Sequence, residues 1–150
     1  IVPLAKKAGI PCLINDYLDI VMLVDADGLH TGQDDISVNA QRKVLGHHKL
    51  IGRTTHDLEQ GLLAEADGAD YVSVGPIWET PSKPNRAGIG FDYLGQAAKA
   101  LKIPYVAIGG INSETLAEIL PYNPPIVGLI RDYEHISEIQ DRLKNNRLMG

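Results

Sequence analysis

Along the chain, short apolar runs alternate with longer stretches in which apolar residues recur every three or four positions. The runs are Pro11–Ile14, Gly28–Thr31, Lys49–Thr54, Tyr71–Gly75, Tyr105–Gly109 and Ile126–Ile130, each of four to six residues and rich in Val, Ile, Leu and Tyr. That length and near-continuous apolarity predict strands buried on both faces, as in a parallel sheet. Helical periodicity follows between them. Leu58, Leu62 and Ala66 share one face of 56–67, with Leu63 beside them, and Leu94, Ala97, Ala98 and Leu101 do the same over 92–102. Leu116, Ile119 and Leu120 mark a helix over 113–120, and Ile136, Ile139 and Leu143 mark the last one. Asp57 and Ser113 stand at the N-cap positions of two of these helices. Ile1-Val2-Pro3-Leu4 reads as the interior of a helix.

Six strand–helix units in succession, with no linker between them, predict a parallel α/β fold. A weak internal echo joins Ala26-Asp27-Gly28-Leu29 to Ala69-Asp70-Tyr71-Val72, where a helix hands over to a strand. The pattern alone leaves an open doubly wound sheet and a closed barrel as alternatives. No Gly-rich dinucleotide fingerprint follows any strand, which weakens the doubly wound reading. A TIM-type (β/α)₈ barrel has eight strands. The expected fold class is therefore such a barrel truncated to about six βα units, with residues 1–150 as one partial barrel domain and two units expected before Ile1.

The net charge of −5 argues against a nucleic-acid-binding face but allows a small phosphorylated ligand, for which a few local cations and backbone N–H groups suffice. The single cysteine, Cys12, cannot form an internal disulfide and reads as a buried structural thiol in a reducing, cytoplasmic setting. No apolar run approaches the roughly 20 residues that span a bilayer, so no membrane partner is expected.

In a barrel, chemistry collects at the C-terminal ends of the strands. The first strand ends in Asn15-Asp16 and the second in Thr31-Gly32-Gln33-Asp34-Asp35. Carboxylates on neighbouring strand ends can share a hard cation such as Mg²⁺, and equally can cap the helices that follow. Arg53-Thr54-Thr55-His56 offers hydroxyls for a phosphate or a cap; His56 can serve as a general acid or base, or stand as a surface or capping residue, the reading its lack of a visible partner favours. The loop from Gly75 to Gly90 is long for a βα connection and carries Thr80, Pro81, Ser82, Lys83 and Arg86, a composition able to fold over an anion. Trp78 reads as a packing residue. Gly109-Gly110 can admit a phosphate to backbone N–H groups, or can simply form a tight turn. Arg131 can pair with that phosphate or with Asp132.

Asn15-Asp16 and Gly28-Leu29-His30-Thr31-Gly32-Gln33-Asp34-Asp35, followed in order by Gly75-Pro76-Ile77, Thr80-Pro81-Ser82-Lys83 and Ile108-Gly109-Gly110-Ile111, resemble the motifs of the thiamine-phosphate synthase family over essentially the whole chain. The resemblance implies a Mg²⁺-dependent transferase that joins 4-amino-5-hydroxymethyl-2-methylpyrimidine diphosphate to a thiazole phosphate, releasing pyrophosphate. It implies Asp16 and Asp35 as Mg²⁺ ligands and Asn15 as a pyrimidine contact. It implies Thr54 and Lys83 on the diphosphate, as the residues closest to the reaction, and Thr80, Pro81 and Ser82 on the thiazole-phosphate side. Backbone N–H groups of Gly110, Ile130 and Arg131 would face the thiazole phosphate. Two departures stand out. The family's N-terminal Gln-x-Arg-x-Lys segment would lie before Ile1, so this stretch by itself is expected to turn over more slowly than a version that includes it. Arg131 stands where many members have Ser. The alternatives are a thiazole tautomerase of the same superfamily, which Gln33-Asp34-Asp35 disfavours, and a non-catalytic phosphate-binding barrel piece. Exposed sheet edges would favour a homo-oligomer.

Overall fold

The computed structural model describes residues 1–81 and 87–149. Its six strands are β1 (Leu13–Asn15), β2 (Gly28–Thr31), β3 (Leu50–Thr55), β4 (Tyr71–Val74), β5 (Tyr105–Ile108) and β6 (Ile126–Gly128). The helices are α1 (Val2–Ala8), α2 (Leu18–Val24), α3 (Val38–Leu45), α4 (Leu58–Ala66), α5 (Asp92–Ala100), α6 (Leu116–Ile119) and α7 (Ile136–Met149). The strands pair in parallel in the order β1-β2-β3-β4-β5-β6. A doubly wound sheet reverses its strand order at a switch point; this one never does. The chain thus winds as six successive units of a TIM-type barrel. Among the described residues β1 pairs only with β2, and β6 only with β5.

The two faces of the sheet differ, and here the structure corrects the expectation of strands apolar on both sides. Leu29, Ile51, Val72, Val74 and Ala107 are fully buried toward the helices, against Leu94, Leu116, Ile119 and Ile139. Each such Leu, Ile or Val side chain contributes about 1.5–3 kcal/mol by leaving water. The concave face is mixed, with Asn15, His30, Gly52, Thr54 and Ser73 set among apolar Leu50, Val106 and Ile108. In-register partners share a face, so Asn15, His30, Gly52 and Tyr71 form one row across β1–β4. Thr54, Ser73, Val106 and Ile126 form the next.

The echo seen in the sequence has a physical basis. Asp27, before β2, accepts the Cys12 N–H on its carboxylate (2.8 Å) and donates its own N–H to the Cys12 carbonyl. Asp70, before β4, makes the same reciprocal pair with Ile51 (2.7 Å). Each aspartate thus pins the start of its strand to the preceding one, satisfying backbone groups at the N-terminal end of the strands.

Asp57 caps α4, accepting the Gln60 N–H at 2.8 Å. Ser113 does not cap α6, whose N-cap position is Thr115 with no side-chain cap bond; the turn before it is held by Asn112. Asn112 Oδ1 accepts the N–H groups of both Glu114 and Thr115 at 2.9 Å. Regular helix runs only from Leu116 to Ile119 and tightens into a 3₁₀ turn over Leu120–Tyr122, because Pro121 has no N–H to continue the α pattern. Cys12 is half-buried rather than buried, since β1 lies at the sheet edge.

Candidate functional site

Three adjoining cavities line the C-terminal ends of the strands. The first, about 280 Å³, is walled by Asn15, Asp16, Gly32–Asp35, Thr54 and His56. The second, about 310 Å³, is walled by Asn15, His30, Thr54, Ser73, Pro76, Thr80, Ile108, Gly109 and Ile130. The third, about 380 Å³, extends over Trp78–Pro81, Gly109–Asn112 and Ile130–Asp132. Asn15 and Thr54 border both the first and the second; Thr80, Gly109 and Ile130 border both the second and the third. The result is one trough, acidic at one end and glycine-lined at the other.

At the acidic end Asp16 sits at φ 68°, the left-handed region that Asp tolerates better than most residues. Its N–H donates to the His30 carbonyl at 2.8 Å, which fixes the turn on β2. Asp35 is half-buried, and its Oδ2 accepts the Gly32 N–H at 2.7 Å. The loop that carries Asp34 and Asp35 is held from behind by Arg53. This side chain points toward the helices and is 8% exposed. Its Nη1 donates to Thr31 Oγ1 and the Ile36 carbonyl, and its Nη2 to the Gln33 carbonyl, at 3.0–3.1 Å. Buried Gln41 donates to the same Thr31 hydroxyl and Ile36 carbonyl. Burial lowers the Arg53 pKa, and the nearby Asp35 and Asp34 charges work against that shift. Arg53→Lys keeps the charge but loses the fork. It should lower stability by about 1–3 kcal/mol, the scale of charge-assisted hydrogen bonds, and speed amide exchange at Asp35, whose N–H bonds the Gly32 carbonyl.

Among the described residues, no group of three or more His, Cys, Asp and Glu side chains is placed to cage a metal ion. The donor set fits a cation that takes one or two carboxylates and fills its remaining positions with water and phosphate, which is the habit of Mg²⁺.

At the glycine end, Gly109 and Gly110 have φ of 95° and 76°. Gly109 lies against Pro76, and Gly110 against Trp78. The ends of the long loop are tied together, Ile89 N–H to the Pro76 carbonyl and Gly90 N–H to the Ile77 carbonyl. Trp78 packs edge-on to Phe91 at 5.4 Å while bordering the trough. Thr80 and Pro81 line this end; Ser82 and Lys83 lie outside the described residues. Gly110, Ile130 and Arg131 border the same cavity.

The family model described as thiamine monophosphate synthase matches residues 1–131. A thiamine-phosphate synthase of Halalkalibacterium halodurans is 47% identical over 118 residues, 78% of this chain and 56% of the relative. One of Thermosynechococcus vestitus is 42% identical over 128 residues, 85% of this chain and 36% of the relative. The structure of a thiamine phosphate pyrophosphorylase from Pyrococcus furiosus superposes with a TM-score of 0.83 at 26% identity, covering 96% of this chain and 72% of that one. This chain belongs to the thiamine monophosphate synthase family. It spans about half the length of the first of these relatives and about a third of the second.

Within this family member, the residues singled out from the sequence fall along one trough wherever they are described. Arg131 is exposed at its rim, but Asp132 is not its partner. The Asp132 carboxylate instead accepts the Ser113 N–H (2.6 Å) and pairs with His135 (2.5 Å), because the Tyr133–His135 turn brings the imidazole back over it. Asp132 thereby staples the loop after β5 to the loop after β6. His135 holds the Asp132 carboxyl below its ordinary 3.8, with the Ser113 N–H assisting; the same pair raises His135 above 6.5. The His135 contribution is therefore complete below pH 6.5 and lost as pH rises through its raised folded-state value, while that of Asp132 is lost only as pH falls through its lowered one. His135→Ala should accordingly lower the urea midpoint at pH 6 and leave it unchanged at alkaline pH.

Sequence reasoning passed over His30, Tyr71, Ser73 and Arg53. His30 lies inside a quoted motif, and strand alternation places it on the same face as Asn15. The Tyr71 ring stacks on His30 at 5.4 Å. No local signal marks it, because the contact crosses β3.

Proposed function

We propose that this chain forms the cation-binding and thiazole-side part of a thiamine-phosphate synthase that condenses the pyrimidine diphosphate with a thiazole phosphate. The observation that supports this reading is the single trough, with Asp16 and Asp35 at one end, Gly109 and Gly110 at the other, and Thr54 between. A substrate with one phosphate group and a second with a diphosphate can lie end to end there, the methylene carbon of one meeting the ring nitrogen of the other over the concave face.

Asp16 and Asp35 would hold Mg²⁺, which when bound neutralises charge developing on the departing diphosphate. Asn15 orients the aminopyrimidine, and Thr54 and Lys83 bind the diphosphate. The bond from the pyrimidine methylene carbon to the diphosphate oxygen breaks, and its electron pair leaves with pyrophosphate. The lone pair of the thiazole nitrogen forms the new C–N bond. Thr80, Pro81 and Ser82 border the thiazole phosphate, which takes backbone N–H groups of Gly110, Ile130 and Arg131. The protein contributes positioning and electrostatics, with no covalent intermediate on a side chain. Self-association of the protein is part of this reading, and sedimentation would read it directly.

The test is pyrophosphate release by the intact protein from the pyrimidine diphosphate, with and without the thiazole phosphate, across a Mg²⁺ titration. Release that requires both substrates and Mg²⁺ is expected. Metal-independent rearrangement of a thiazole carboxylate phosphate, with no condensation, would replace this reading with that of a tautomerase.

A further inference from the structure

The row Asn15–His30–Gly52–Tyr71 contains a gap at its third member. A β-carbon on Gly52 would lie 2.2–2.4 Å from the Tyr71 ring and hydroxyl. Only a residue without a side chain lets the Tyr71 ring lie flat across β3 and reach the strand beyond. There the Tyr71 hydroxyl meets His30 Nδ1 at 2.9 Å, and the other ring nitrogen, Nε2, meets Thr54 Oγ1 at 3.0 Å. Three side chains from three strands thus form one hydrogen-bonded line that ends on Thr54, where two cavities of the trough meet.

The line can run in two directions, set by the imidazole tautomer. A phenol O–H is a stronger donor than an aliphatic hydroxyl, and an imidazole lone pair is the best neutral acceptor of the three. Burial raises the Tyr71 pKa to about 12, so its proton stays in place. The favoured direction is Tyr71 O–H to His30 Nδ1, then His30 Nε2–H to Thr54 Oγ1. Thr54 then receives a hydrogen bond on one lone pair, and its own O–H is left to donate into the trough.

We propose that Tyr71 and His30 are positioning residues that set the imidazole as the Nε2–H tautomer and thereby aim the Thr54 hydroxyl proton at an anionic oxygen in the trough. With the line reversed, Thr54 would spend its proton on His30 and face a phosphate with lone pairs alone. The proposal rests on the reading above that Thr54 contacts the diphosphate. Gly52 is the structural condition for it, since any larger residue there pushes Tyr71 off His30.

The tautomer can be read from the ¹⁵N shifts of the His30 imidazole near neutral pH, independently of any activity. The ligand side uses inorganic pyrophosphate with Mg²⁺ as the probe, measured by calorimetry. Native protein should show a pyridine-type Nδ1 and a protonated Nε2. Tyr71→Phe, which keeps the ring and so spares the packing, should shift the tautomer toward Nδ1–H and weaken pyrophosphate binding about tenfold, the scale of one hydrogen bond to a charged acceptor. Thr54→Ser should retain binding and Thr54→Val should lose it. Adding Tyr71→Phe to the Thr54→Val background should change nothing further, as coupled members of one line require. An Nδ1–H or doubly protonated ring in the native protein overturns the proposal, as does unchanged pyrophosphate affinity in Tyr71→Phe or an additive double variant. Absence of pyrophosphate binding by the native protein would instead overturn the functional reading, and this proposal with it.

Discussion

Asp16→Asn and Asp35→Asn are each expected to slow pyrophosphate release by about 10²–10³-fold, the scale of removing one preorganised stabiliser of developing charge. Asn is a close test of charge at both positions. At residue 16 the backbone sits at φ 68°, a region Asn adopts as readily as Asp. At residue 35 an amide oxygen can still accept the Gly32 N–H that Oδ2 now takes. The fold should therefore survive, and urea midpoints should stay close to native. The loss should appear as a higher Mg²⁺ requirement as well as a lower maximal rate. The double variant should be little worse than either single one, because groups that serve one cation act as a unit. Rates measured across a Mg²⁺ series decide the matter: native-like metal dependence in both variants would remove the acidic end of the trough from the chemistry.

Gly109→Ala should act at the opposite end and for a different reason. At φ 95° an L-residue is strained, and the new β-carbon would lie 2.4 Å from both Cα and Cβ of Pro76. Backbone atoms cannot rotate away, so the loop after β5 must shift. Strain and overpacking together predict a loss of about 2–4 kcal/mol, read from the urea midpoint. The shift moves the N–H of Gly110 and tilts Trp78, whose own N–H donates to the Gly109 carbonyl. Binding of a thiazole phosphate should fall with stability, while binding of Mg²⁺ at the far end should not. A variant of native stability would mean that Pro76 yields more easily than its place against Gly109 implies.

Much of this is legible in the sequence. Apolar runs at regular intervals marked all six strands to within a residue or two, because buried parallel strands are the most apolar segments a chain carries. Asp57 is readable as a cap from its place before a periodic stretch, whereas Ser113 is not one, because α6 begins only at Leu116 and the turn before it is held by Asn112. Asn15, Asp16 and Asp35 could be placed at a common end because strand ends in a barrel converge. Arg53 escaped notice for the opposite reason: on the helix side of β3 the pattern asks for an apolar residue, and the Thr31 hydroxyl with the carbonyls of the loop after β2 explains a cation there.

The chain's own order of residues determined the succession of strands and helices, the aspartates that tie one strand's start to the last, and the polar clusters that follow each strand. These are local matters, decided by period, cap and turn. What tertiary structure alone decided is who stands beside whom across the sheet. Residues 41 positions apart meet as His30 and Tyr71 because parallel register sets them in one row, and because Gly52 between them has no side chain to hold them apart. Register is a property of the assembled sheet, where a slip of one residue would turn every side chain to the other face.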